Sequence, residues 1–177
     1  MSIARLLGTT PHLSPLLRKA RRLGYATVDD LARLARARGC QHYAFPDDGA
    51  VCLPECGADL LSNAELAIAL VSGGGDGEAR HIRVAAQLMG APDVSVSELS
   101  RLAIMERCVP VVRHIAEAGV REDEKAPDFW GALLRALPEA ADVPEGRMPH
   151  PSRFMSQPGW SPASRPQRRA SWLRAHG

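Results

Sequence analysis

Apolar residues in the middle of this chain recur at helical spacing, in segments that begin on a capping signal. Leu61-Ser62-Asn63-Ala64-Glu65-Leu66 and Val94-Ser95-Val96-Ser97-Glu98-Leu99 share one arrangement. In each, the serine hydroxyl can accept from the backbone N–H three residues on. The glutamate can reach back to the serine N–H, and the flanking apolar pair can close over the first turn. Helices are therefore expected to start at Ser62 and Ser95. In the first, Leu66, Ile68, Ala69 and Leu70 occupy much of the circumference, which predicts a helix buried between neighbours. The glycine cluster Gly73 to Gly77 ends it, and a partner helix from Glu78 to Met89 presents Ile82, Ala85, Ala86 and Met89 on one face. The second start is expected to send Leu99, Leu102, Ala103 and Ile104 inward. Pro110 lies in its path, and a proline in a helix interior costs about 3 kcal/mol, so a kink or break is expected near Cys108 to Val109. Val111, Val112 and Ile115 continue as a partner helix ended by Gly119, and Pro127-Asp128 opens a last helix over Phe129 to Leu137.

Ser62 and Ser95 stand 33 residues apart, and at the same offset Arg80-His81-Ile82 is matched by Arg113-His114-Ile115. A period of this length falls in the range of stacked helical hairpins, and a third start, at Asp128, keeps the phase. The expectation is a 33-residue unit in about two copies, flanked by other helices that close the stack. His81 and His114 are matched by this offset, and a packing position repeated with its hairpin explains them better than a paired site.

The same signals are present earlier in the chain. Met1 to Leu7 can form a short helix. Ser14-Pro15 is an N-cap and first-position pair for a helix over Leu16 to Leu23 that stops at Gly24, and Thr27 opens another over Val28 to Arg38, before Gly39. Gln41 to Phe45 and Ala50 to Leu53 flank Pro46-Asp47-Asp48-Gly49, which predicts one small β-hairpin near residues 41–53. Two short helices and a hairpin could be a small winged helix-turn-helix, with the hairpin as its wing. After Pro138 the pattern gives way to proline, serine and arginine interspersed with Phe154, Trp160 and Trp172, an irregular tail whose tryptophans favour docking over full solvation.

The fold class expected is therefore mainly α: helical hairpins, one β-hairpin and an irregular C-terminal tail. Residues 1–137 are read as a single helical domain, with 1–56 as a helix-turn-helix and hairpin subunit and 61–137 as the hairpins, followed by a tail over 138–177. Aromatics make up only 5% of the chain, so Leu, Ala, Val and Ile must fill the core. No run approaches the roughly 18 apolar residues that would cross a bilayer, and Ile3 to Leu7, broken by Arg5, is no signal peptide. A soluble cytoplasmic protein is expected, with no membrane partner.

Charge sharpens the functional reading. The net charge of +2 conceals an uneven distribution. Residues 1–40 hold eight Arg and Lys against two Asp, residues 61–137 hold eight basic against eleven acidic groups, and residues 147–177 hold six arginines and no acid. Basic ends on a mildly acidic centre favour nucleic acid as a partner, through Arg18, Lys19, Arg21, Arg22, Arg33, Arg36 and Arg38 on the first helices and Arg165, Arg168 and Arg169 in the tail. The rival class is a protein–protein adaptor or self-associating helical scaffold.

Candidate chemistry is sparse. Cys40, His42, Cys52 and Cys56 gather around the hairpin and are the only candidates for a tetrahedral zinc site. The Cys52-x-x-x-Cys56 spacing is wider than the usual knuckle, and the hairpin register sets His42 and Cys52 on opposite faces. Small buried thiols are the better reading, so no metal or other cofactor is assigned. Leu61 to Leu66 resembles the helix opening in the amino-terminal region of RadC-like proteins, but the chain lacks the His-x-His metal motif of that family's catalytic part and the resemblance implies no activity. The glycine cluster follows a helix and lacks the Gly-Lys-Ser/Thr ending of a phosphate loop. Non-catalytic binding is the expected function, with a metal-dependent enzyme as a third class.

Overall fold

Side-chain oxygens start the first helices where the sequence places them. Ser14 Oγ accepts from Leu17 N at 3.1 Å, ahead of Pro15. Thr27 Oγ1 accepts from Asp30 N at 3.1 Å, while Asp30 Oδ2 accepts from Thr27 N at 2.8 Å. Caps of this kind contribute about 1 kcal/mol each. The computed structural model describes residues 14–38, 40, 61–73, 79–123 and 126–140. Those residues form seven helices and, among the described residues, no strand: α1 (Pro15–Arg22), α2 (Val28–Ala37), α3 (Asn63–Gly73), α4 (Ala79–Met89), α5 (Val96–Met105), α6 (Val109–Glu122) and α7 (Pro127–Ala136). The expected helix over Met1 to Leu7, the β-hairpin near 41–53 and most of the tail lie outside the described residues. No helix among those described is long and apolar enough to cross a membrane.

The centre is α3, which packs against α1, α2, α4 and α5. Every residue from Leu66 to Leu70 is buried, as expected for a helix with no polar face. Its partner α4 buries Ile82, Ala85, Ala86 and Met89, and also lies against α2. There Asp29 Oδ1 accepts from Arg80 Nη2 at 2.7 Å and lies 3.3 Å from His81 Nε2.

The second half is assembled differently. Helix α7 packs against both α5 and α6, which touch each other much less than α3 touches α4. The residues matched by the 33-residue offset also have different partners. Ser62 and Glu65 close a reciprocal capping box, with Glu65 N to Ser62 Oγ at 3.0 Å and Ser62 N to Glu65 Oε2 at 2.9 Å. Ser95 Oγ accepts from Glu98 N at 3.2 Å, but the Glu98 carboxylate accepts from Ser62 Oγ at 2.8 Å and joins the two helix starts. Arg80 binds Asp29, whereas Arg113 Nη1 donates to the carbonyls of Leu134, Leu137 and Pro138 at the end of α7.

Two details correct the sequence reading. Ile104 is 51% exposed, whereas Leu99, Leu102 and Ala103 are buried. Five residues separate it from Leu99, which carries it about 140° round the helix and off the core face. Gly119 does not end α6, which continues to Glu122. A Cβ at Gly119 would sit 2.3 Å from Trp130 Cδ2, so the glycine is the space into which the indole of α7 fits. That indole is fully buried, and its Nε1 donates to the buried Asp123 at 2.8 Å.

The expected break before Pro110 is complete. Helix α5 ends in a Schellman motif, with Arg107 N on Ile104 O at 3.2 Å and Cys108 N on Ala103 O at 3.0 Å. Arg107 occupies the left-handed position at φ 55°, where glycine is usual. Helix α6 starts one residue beyond Cys108, with Pro110 in its first turn, where a missing N–H costs nothing.

Candidate nucleic-acid interface

Helix α1 is strongly two-sided. Leu16 and Ala20, one turn apart, are buried toward α3, and Leu17 and Leu23 are partly buried beside them. Arg18, Arg21 and Arg22 are exposed and, together with Pro15, form the described lining of a shallow groove of about 450 Å³. Its first turn carries no acidic residue. The negative group at its N-terminus comes instead from 90 residues away, where Glu106 Oε1 accepts from Leu16 N at 3.2 Å. Glu106 is buried, and its other carboxylate oxygen has no hydrogen-bond partner among the described residues. The neighbouring Cys108 thiol is pushed up to about 12, first by burial and then by the Glu106 charge. At neutral pH it is therefore a protonated packing group, not a nucleophile.

The other basic residues singled out from the sequence are placed differently. Lys19 donates to both carboxylate oxygens of Glu65 at 2.8 Å. Arg38 donates to Asn63 Oδ1 at 2.9 Å and Leu61 O at 2.6 Å, holding the end of α2 against the start of α3. Arg33 is exposed but paired with Asp30 on its own helix. Arg36 is half-buried and has a contact of its own. Arg165, Arg168 and Arg169 lie outside the described residues.

The start of α3 thus uses much of the basic charge that composition alone would assign to a partner. Lys19 and Arg38 reach it from α1 and α2. Asn63 Nδ2 meanwhile donates to the Asp93 carboxylate at 3.0 Å, and Ser62 donates to Glu98. A single capped turn ties down α1, α2, the turn before α5, and α5 itself.

No family, curated protein or solved structure matches the chain significantly. The chemistry of the site must therefore be read from its own residues. Cys40, the one zinc candidate that is described, is buried with Sγ 2.7 Å from Gln87 Oε1 and set against α4. His42, Cys52 and Cys56 lie outside the described residues. Among those described, no three His, Cys, Asp or Glu side chains come together as a metal site. What remains is a cationic surface: three guanidinium groups on one side of a short helix, each able to donate in a planar fork to phosphate or carboxylate oxygens.

Sequence reasoning found these arginines but not their sorting. It missed Pro15 as part of the groove wall and Glu106 as the group that fixes the end of α1. No local pattern marks Glu106, because its partner is a backbone N–H on a distant helix.

Proposed function

We propose that this protein is a non-catalytic binding protein that contacts nucleic acid through the outer face of α1. The observation that carries this reading is the exposed trio Arg18, Arg21 and Arg22 around the groove, with no acid in the first turn of the helix. Their guanidinium groups suit phosphate oxygens, and the opposite face of α1 is committed to the core. In the same reading residues 1–137 act as one domain, and the arginines of the 138–177 tail add phosphate contacts. The 33-residue unit supplies the scaffold, and the protein works in the cytoplasm. Fluorescence anisotropy with a labelled DNA duplex tests the proposal. Binding should fall steeply as salt rises, and a folded protein that binds neither DNA nor RNA at low ionic strength overturns it.

A second reading, a protein–protein adaptor, is favoured by Ile104 and Met105, which are 51% and 52% exposed at the end of α5. Covering two adjacent apolar side chains would remove them from water. If that reading holds, Ile104→Ser with Met105→Ser should abolish self-association or partner binding while leaving the melting temperature intact.

A further inference from the structure

Helix α5 sorts its charges between its two sides. Its acidic residues are taken up by the fold: the Glu98 carboxylate accepts from Ser62 Oγ at 2.8 Å, and Glu106, at the C-cap, is buried on Leu16 N. The outward side keeps Arg101, Ile104 and Met105, all exposed and within about one turn of one another. Arg107, also exposed, follows where the chain turns out of the helix. Arg101 Nη1 donates to Met105 Sδ at 3.4 Å. A thioether is a weak acceptor, so the guanidinium lies along the apolar pair with its other N–H groups left for a stronger one. Among the described residues, neither Arg101 nor Arg107 forms an ion pair.

An apolar pair between two cations is complementary to a partner that is apolar and acidic at once. Methionine and arginine are enriched in protein interfaces, and the guanidinium fork matches a carboxylate. Other occupants of this face fit it less well. A second copy meeting it across a two-fold axis brings one cationic face against another. The chain's own residues 147–177 carry six arginines and no acid. Nucleic-acid phosphates would pair with the arginines but set Ile104 and Met105 against charge, where covering them gains little. A helix lying in a membrane surface presents an apolar face along its length, whereas α5 turns Leu99, Leu102 and Ala103 into the core. Resting on the adaptor reading above, we infer that the outer end of α5 docks an acidic peptide segment of a protein partner. Its carboxylates meet Arg101 and Arg107, and a large apolar side chain covers Ile104 and Met105.

Selection of a random peptide library displayed on phage against the full chain tests this, followed by anisotropy titrations with the enriched peptides, synthesised and labelled. These peptides should carry Asp or Glu beside Leu, Ile, Met or an aromatic residue. Ile104→Ser with Met105→Ser should weaken their binding at least about tenfold. Arg101→Gln with Arg107→Gln should weaken it about three- to tenfold, an effect that fades at about 500 mM salt, while Arg101→Lys with Arg107→Lys should retain most of the binding. Circular dichroism checks folding, and the single substitutions decide the matter for any pair that unfolds.

Enriched peptides that are basic or neutral, yet lost in the Ser pair, overturn the acidic partner and leave the adaptor reading standing. Three results give the face to another occupant and also overturn the inference: dimerisation in sedimentation velocity that the Ser pair abolishes, binding to anionic phosphatidylserine vesicles that it abolishes, or tighter binding of a synthetic 147–177 peptide than of any enriched one. Peptides that bind the Ser and Gln pairs as tightly as the wild type overturn it too, by removing α5 as the site. A folded chain that enriches no peptide and stays monomeric overturns both the inference and the adaptor reading.

Discussion

The helices before Gly90 and those after it are held together by different means. In the first group, polar side chains cross between elements: Lys19 to Glu65, Arg38 to Leu61 and Asn63, and Arg80 with His81 to Asp29. Several of these groups are a third or more exposed, and such pairs contribute at most about 1 kcal/mol each and are screened by salt. In the second group Arg113 also reaches from α6 to the carbonyls at the end of α7, but one close fit dominates. The Trp130 indole lies against Gly119, donates to Asp123, and meets Phe129 edge to face at 5.0 Å. A packed indole tolerates no added volume, whereas distributed polar ties can be lost one at a time. The first group, which bears the candidate binding face, should therefore respond to salt and pH, and the second mainly to volume.

The sharpest way to break this contrast is Gly119→Ala. A Cβ at 2.3 to 2.7 Å from three indole atoms forces α7 away from α6, and we expect a loss of about 3 kcal/mol in urea unfolding. The control is Gly131→Ala on the same indole-bearing helix, where the nearest atom is the Arg135 Nη1 end of a flexible side chain, at 3.5 Å. There the helix propensity of alanine should instead stabilise by about 0.5 to 1 kcal/mol. Equal effects at the two glycines would show that the Trp130 fit is not what holds the second group.

These two glycines also show what the sequence could reveal. A glycine near the end of an apolar run looks like a stop, and only the partner 11 residues on makes Gly119 a packing position. The same limit applies at Arg107, where a helix stops without the usual glycine, so that Pro110 was the only visible sign of the break. Helix starts were legible because a cap is local: Ser14, Thr27, Ser62 and Ser95 each engage a residue three positions on. The basic character of the first helices was legible for a similar reason, since charge can be counted. Which cations remain on the surface was not, because Lys19 and Arg38 are claimed by partners 46 and 23 residues away.

At Arg107 the prediction is a gain. Glycine adopts φ 55° without the steric cost that a Cβ brings, so Arg107→Gly should raise stability by up to about 1 kcal/mol. A measured loss would mean that the exposed arginine makes a compensating contact through its side chain.

Within the polar group, a double-mutant cycle between Lys19→Met and Glu65→Gln isolates one tie, because the glutamine can still accept from Ser62 N. The coupling should be below about 1 kcal/mol and should shrink further at high salt. A coupling of several kcal/mol that is insensitive to salt would erase the distinction between the two groups.

The smallest expected effect is at the start of α2. The Asp30 carboxyl is held below its ordinary value of 3.8, first by the Thr27 hydroxyl, against an opposing push from burial that comes next in size, and further by Arg33 and the backbone of Thr27. A carboxyl lowered on folding adds stability that is present above its unfolded value and is lost as pH falls through the folded one. The stability difference between the wild type and Asp30→Asn should therefore be constant at neutral pH and should close progressively below about pH 3.8. Asp30 lies at the surface and acts on one helix start, so the closing should be shallow. If the difference instead widens in acid, the carboxylate is not the charged acceptor in the Thr27 box.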